Sequence, residues 1–276
     1  MSVFEKASKK KVLFVGESIT DVYHYGRLIG RPPKEPIICI EHQDTQTFQG
    51  GVTAAADHAR SFVEVVDIAS SVEIRKERFL EQSHYRKLFE VYGGYTKIDI
   101  AWPDLSQYDA VIVTDYGHGM LTPELVERIC FDSRYLAVNV QTNSGNYGFN
   151  LASKYYRADY LCVDEVEARL ATQNQHGVLA SSLAALSRIA EKVVVTTGKS
   201  GACGYDGQFY ESEAFTDRVR DTMGAGDAFF AVTACIAEES SLMDLLNVGN
   251  AAGALKAQSV GQKPISKDEL LSYLNR

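Results

Sequence analysis

No stretch of this chain approaches the ~20 consecutive apolar residues that a membrane-spanning helix needs. Its first residues, Met1 to Lys11, are short and basic and lack the apolar core of a secretory leader, so a soluble cytoplasmic protein is expected. Cysteine is sparse. Cys39, Cys130, Cys162, Cys203 and Cys235 are odd in number, nowhere spaced as CxxC, and mostly set in apolar runs. They read as small buried hydrophobes in a reducing compartment. Positive charge is also short, with 28 Lys and Arg against 36 Asp and Glu and a formal net charge of −8. Nucleic acid and anionic membranes reward a basic face, so neither is an expected partner. A phosphorylated small molecule is still allowed, because a few local cations suffice for one phosphate. The chain also lacks internal repeats and low-complexity segments.

What is present is an ordinary globular composition over 276 residues, 45% hydrophobic and 23% charged. That length suits one large α/β domain or two small ones. Short apolar runs recur: Lys11 to Gly16, Val63 to Ala69, Ala110 to Asp115, Tyr135 to Val140, Tyr160 to Val163 and Val193 to Thr197. Helical stretches separate several of them, such as Val52 to Arg60 and Thr122 to Cys130, the latter with Pro123 in its first turn. The alternation predicts a doubly wound, mainly parallel sheet with helices on both faces. Ligands of such sheets bind at the carboxyl ends of the strands, where Asp115, Asp164 and Gly198 fall. Between Tyr23 and Phe48 the pattern changes: a Pro-rich turn, Arg31 to Pro36, precedes strand-like Ile37 to Glu41. Val72 to Phe79 and His84 to Val91 also read as strands.

The most informative string is Asp221-Thr222-Met223-Gly224-Ala225-Gly226-Asp227-Ala228-Phe229-Phe230-Ala231. Small residues open an apolar helical run, so its first amides, unpaired within the helix, can face an anion with the helix dipole behind them. Gly224, Ala225 and Gly226 would form that hole. Asp227 would point at the same place and take a proton from an incoming hydroxyl. An isolated GxGD is more often a glycine turn carrying a dipole-favoured aspartate. The full eleven-residue string is more specific: it resembles the C-terminal signature of the ribokinase-like (PfkB) carbohydrate kinases.

Other segments match that family in the same order along nearly the whole chain. The resemblance implies an α/β kinase with a small β lid, a single domain over 1–276 in which residues 23–48 form the lid and 72–92 are a further candidate contribution. It implies ATP and Mg²⁺ as cofactors, a sugar as substrate, and a homodimer formed through the lid. Asp21, in Gly16-Glu17-Ser18-Ile19-Thr20-Asp21, takes the place of the family's sugar-binding aspartate. Gly50 and Gly51 resemble its paired-glycine hinge beside the sugar, and Asp115 at its strand end is also assigned to the substrate pocket. Asp164-Glu165-Val166-Glu167 resembles the NxxE motif, with Asp164 in place of asparagine and Glu167 orienting Mg²⁺ through water. Thr196, Gly198 and Gly201 resemble the nucleotide-side TxGxxG turn, and Asn250 a position flanking adenine. Taken singly, these are turns, caps and solvated charges.

Three stretches resemble the branch that phosphorylates heptose phosphates, including kinase domains joined to ADP-heptose synthases: Gly30 to Ile40, Thr114 to Thr122, and Arg75 to Glu90. Lys76, Arg78 and Arg86 are the candidate cations for a sugar phosphate; a solvated basic strand face is an equal reading. Departures from the branch are Ala54 in place of asparagine, His118 in place of lysine, Asn139 in place of aspartate, and a shortened segment between Phe62 and Val72. Two rival readings stay open: a nucleoside or small-alcohol kinase of the same fold, and a nucleotide- or sugar-binding partner protein without catalysis.

Overall fold

The apolar runs become strands of an eight-stranded sheet, and the segments of alternating pattern become a second sheet of four. The structure is a computed structural model that describes residues 3–83, 86–215, 218–259, 261 and 263–275. The chain begins with α1 (Val3–Ala7), β1 (Lys11–Gly16), β2 (Ser18–Gly30), β3 (Cys39–Gly50) and α2 (Gly51–Ala59). There follow β4 (Val65–Ala69), β5 (Val72–Glu81), β6 (Arg86–Lys97), β7 (Ala110–Asp115), α3 (Pro123–Asp132) and β8 (Leu136–Val140). After β9 (Ala158–Asp164), α4 (Glu165–Thr172) and α5 (Leu179–Leu186), the chain adds β10 (Ala190–Thr196), β11 (Ala202–Tyr205) and β12 (Phe209–Ser212). It closes with α6 (Ala225–Ile236), α7 (Leu242–Ala257) and α8 (Lys267–Leu274).

The large sheet has the order β12-β11-β10-β9-β8-β7-β1-β4. It is parallel from β10 through β4, with β11 and β12 added antiparallel at one edge. Side chains alternate between faces along a strand, and here both faces are apolar. Val12 and Phe14 of β1 and Ile112 of β7 join the layer holding α2, α6 and α7. Leu13, Val15, Val111 and Val113 join the opposite layer with α3 and α5. This is the doubly wound α/β arrangement expected from the sequence.

The second sheet, in the order β3-β2-β5-β6, occupies the place expected of the lid and takes that name. It draws on residues 18–50 and 72–97, slightly beyond the 23–48 and further candidate 72–92 of the expectation, at the first end because β2 begins directly after β1 and runs on for 13 residues. Asp21 is therefore a strand residue of the lid rather than part of a turn. Tyr23, Tyr25 and Leu80 form a small separate core beneath the lid, with Phe48 and Met223 packed against it. His84, assigned above to a strand, lies outside the described residues; β6 is described from Arg86. The basic start of the chain also holds one element the sequence reading lacked, the single turn and a half of α1, anchored by Phe4 and Ala7.

Candidate active site

The mouth of the site lies where α6 begins. Gly224 is its N-cap in the left-handed region, φ 74°, which costs glycine nothing and almost any other residue something. A side chain built at Gly226 would meet open space, so the helix start is uncovered there. The Ala225 amide is partly taken by the Thr222 carbonyl at 3.3 Å, and Ala228 donates to Gly224 at 2.9 Å. Gly226 and Asp227 are first-turn residues, whose amides have no intrahelical acceptor. An anion drawn to this helix start would meet these two amides more than that of Ala225.

Asp227 is half-buried and turned inward. One oxygen, Oδ1, accepts from Gln141 Nε2 at 2.6 Å and from the Tyr116 hydroxyl at 3.1 Å. Burial raises its pKa, while those two donors and the positive charges of Lys256 and Lys76 work the other way. Among the described residues both of these hydrogen bonds fall on Oδ1. Neither Tyr116 nor Gln141 was singled out by sequence reasoning. Both sit at the carboxyl ends of buried strands, β7 and β8, which is the only signal they carry. Gln141 is itself steered by Asn139, whose Oδ1 accepts from its amide at 3.1 Å.

The loop bearing Tyr116 is held by two buried carboxylates. Glu17 accepts from the amides of Tyr116, His118 and Met120 at 3.1, 3.0 and 3.3 Å. Its pKa is raised, by burial first and then by the charge of Asp115. Asp115 has no exposure and accepts from Gly117, Asn150, the Tyr155 hydroxyl and Lys154 at 3.1, 3.1, 2.8 and 2.5 Å. Those donors fill its oxygens, so the assignment of Asp115 to the substrate pocket is corrected: it shapes the loop from behind.

On the lid side, Asp21, Arg78 and Lys76 are brought to one buried cluster. Arg78 Nη1 lies 2.6 Å from Asp21 Oδ1, and its Nε donates to Glu90 at 2.9 Å. Asp21 packs over Gly50, where an added Cβ would come within 2.5 Å of its Oδ2. Gly51, at φ 61°, presses against the Glu17 carbonyl and starts α2. The two glycines thus let β1, β2 and α2 meet at the sugar side. Lys76 is 6% exposed, and its ammonium lies 5.1 Å from the centre of the Tyr92 ring. Burial, then the Arg78 charge, lowers its pKa. No carboxylate forms an ion pair with it among the described residues. Beside it, His118 Nε2 is buried without a partner, and burial and Lys76 hold its imidazole down at about 4. Arg86 is not part of this cluster. It is exposed at the far end of the lid hairpin, opposite Glu81 and roughly 10 Å along the strand from Arg78.

On the nucleotide side, Asp164 caps α4 and Glu167 closes a reciprocal capping box with it, at 2.7 Å in each direction. Glu167 also accepts from the Thr142 amide at 2.8 Å, and burial with the Asp164 charge pushes its carboxyl up to about 8. No group of three metal-binding side chains occurs among the described residues. Mg²⁺ held largely by phosphates and water needs only one or two carboxylates. Exposed Asp164 at the start of α4 could offer one, while both Glu167 oxygens already accept backbone amides, so Glu167 would act on the ion only through water. Thr196 ends β10, and Gly198 (φ 61°) and Gly201 (φ 96°) form the turn after it, open to space at Gly198. Asn250 is corrected. Its amide donates to the Ser212 carbonyl and hydroxyl and the Glu213 carbonyl at 3.0–3.1 Å, so it pins β12 to α7 rather than facing a base.

The model of the pfkB family carbohydrate kinases matches residues 127–268. The chain is 21% identical over 312 residues to the bifunctional protein HldE of Sulfurimonas denitrificans, covering 97% of this chain and 65% of that one. It is 25% identical over 175 residues to the HldE of Campylobacter jejuni, 61% of this chain and 37% of that protein. This chain therefore spans less than two thirds of such relatives. Among solved structures, Arabidopsis thaliana ribokinase complexed with ribose and ATP superposes with a TM-score of 0.74 at 17% identity, covering 97% of this chain and 99% of that one. Escherichia coli phosphofructokinase-2 in complex with potassium gives 0.73 at 13% identity, over 97% and 100% of the two chains.

Proposed function

Because the chain belongs to the pfkB family of carbohydrate kinases, we propose that it passes the γ-phosphate of ATP to a hydroxyl of an already phosphorylated sugar of the heptose-phosphate kind. The observation that carries the transfer is the inward-turned Asp227 under the open start of α6. Its free oxygen takes the hydroxyl proton as the sugar oxygen bonds to phosphorus, and the bond to the bridging oxygen breaks to release ADP. ATP with Mg²⁺ supplies the phosphoryl group and neutralises part of its charge. The amides of Gly226 and Asp227 bind the equatorial oxygens, and Tyr116 and Gln141 keep the base aimed. Positioning and electrostatics dominate such a transfer.

The phosphorylated acceptor is favoured by Lys76. Its buried ammonium has no ion pair among the described residues, and the nearby Glu90, Asp21 and Asp227 carboxylates only partly offset the cost of burial, which an arriving anion would relieve. His118 adds a ring nitrogen without a hydrogen-bond partner among the described residues at the same wall. Asp21 and the Gly50–Gly51 backbone would hold sugar hydroxyls once Arg78 shares its charge with the ligand. Asp164, Glu167, Thr196, Gly198 and Gly201 would line the nucleotide side. We further propose a homodimer through the lid, whose outer end exposes Leu28, Ile29, Ile37 and Ile38, and a cytoplasmic location. No described helix is long and apolar enough to cross a membrane.

A coupled ADP-release assay over neutral sugars, sugar phosphates and nucleosides tests the reading. Turnover with a heptose or other sugar phosphate and little with neutral sugars is expected, falling about 10³-fold in Asp227→Asn. Turnover only with nucleosides or neutral sugars would remove the phosphate reading, and near-normal turnover in Asp227→Asn would remove the base.

A further inference from the structure

Lys256 takes no part in the steps above. It sits in the last turn of α7 with no exposed surface. Burying an ammonium is costly unless something answers its charge. Its Nζ donates to the Met223 carbonyl at 2.7 Å, and among the described residues it has no ion pair with a carboxylate. Three groups face it besides that carbonyl. His58 of α2 is kept neutral, held down at about 4 by burial and by Lys256 itself. The carboxylates of Asp221 and Asp227 pull the Lys256 pKa up against the burial that lowers it.

The backbone repeats the connection. The Ala257 carbonyl accepts from the amides of Arg220 and Asp221 at 2.8 and 3.1 Å. The segment that feeds Gly224 is thus fastened to the end of α7 on both sides of Thr222. A fastening alone needs no charge, since a neutral amide side chain would hold one carbonyl without desolvating a cation. The charge has a physical reason if it faces the place where anionic oxygens arrive. The helix C-terminus supplies a compensating negative dipole when the site is empty.

Resting on the kinase reading, we propose that Lys256 is a positioning residue that places a built-in cation behind the phosphate hole, orienting the Met223–Gly224 peptide and adding fixed positive charge beneath the transferring phosphoryl group. A tethered ammonium does there what a bound monovalent ion could do, without having to be recruited.

The test is binding first. Calorimetry compares a non-hydrolysable ATP analogue with ADP, both with Mg²⁺, on wild type, Lys256→Met and Lys256→Gln. The analogue is expected to weaken about tenfold in both variants and ADP by less than about threefold, because the lost charge faces the terminal phosphate. In Lys256→Ala, methylammonium restores analogue binding, and tetramethylammonium at equal ionic strength, too large to enter, does not. Equal analogue binding in wild type and Lys256→Gln, or equal losses for analogue and ADP, reduces Lys256 to a neutral fastening and overturns the proposal. Should the variants fail to fold, the wild type decides. Its analogue affinity is expected to be the same in ammonium and tetramethylammonium salts, and tighter binding in ammonium would show that the hole lacks its own cation. None of these measurements needs an acceptor. Failure to phosphorylate any sugar therefore counts against the kinase reading, while the analogue–ADP difference judges Lys256.

Discussion

At the scale of single residues, the site turns on one half-buried carboxylate whose pKa burial raises and neighbouring donors lower. Tyr116 donates to Asp227 and thereby lowers a pKa that burial raises. Removing that hydroxyl lets the pKa climb further. A base works only when ionised, so the acid limb of the kcat/KM profile of Tyr116→Phe is expected to move to higher pH. A limb that stays put would separate Tyr116 from the base. Glu167 titrates with the opposite consequence for stability. Its folded value, about 8, lies above the ordinary 4.5. Its contribution is therefore complete below the ordinary value and is lost as pH rises through the folded one. Melting temperatures taken between about pH 5.5 and 8.5 should fall less steeply in Glu167→Gln than in wild type, and parallel slopes would contradict this. Tyr116, Gln141 and Glu17 were invisible as site residues, because a hydrogen bond between positions 86 or 111 apart leaves no local pattern.

At the scale of elements, β1 and β7 were legible to the residue, since a fully buried parallel strand is a continuous apolar run with a sharp end. β2 was not, because half of it faces the main body and half faces away, and its pattern of buried and partly exposed positions looks like a turn followed by a loop. The lid core is a separate small cluster, so damage there is expected to stay local. Leu80 is 1% exposed. Leu80→Ala should cost the lid about 3 kcal/mol and raise the KM for the sugar about tenfold while the main calorimetric transition hardly moves. A large drop in that transition would mean that lid and body unfold together. Asp115 shows the reverse: a strand-end aspartate reads as a ligand, yet Gly117, Asn150, Lys154 and Tyr155 donate to its oxygens.

At the scale of the whole molecule, two layers of helices bury both faces of the large sheet, and the lid leaves aliphatic surface at its outer end. Sedimentation at tens of micromolar is expected to give a dimer, and Leu28→Glu or Ile37→Glu a monomer of unchanged melting temperature. A monomeric wild type would remove the lid interface. The shortened stretch between Phe62 and Val72 leaves β4 as the edge of the large sheet, reached directly from α2.

Sequence alone determined the alternation of strands and helices, the kinase signature and the helix start at Gly224, because each depends on residues adjacent along the chain. Tertiary structure decided which aspartates are free. Asp115 is fully buried with donors on both oxygens, whereas Asp227 is half-buried with its two donors on one oxygen, and only packing of distant segments makes that difference. The same packing buried Lys256 against the Met223 carbonyl, where burial turns an ordinary helix-end lysine into a charge that needs a reason.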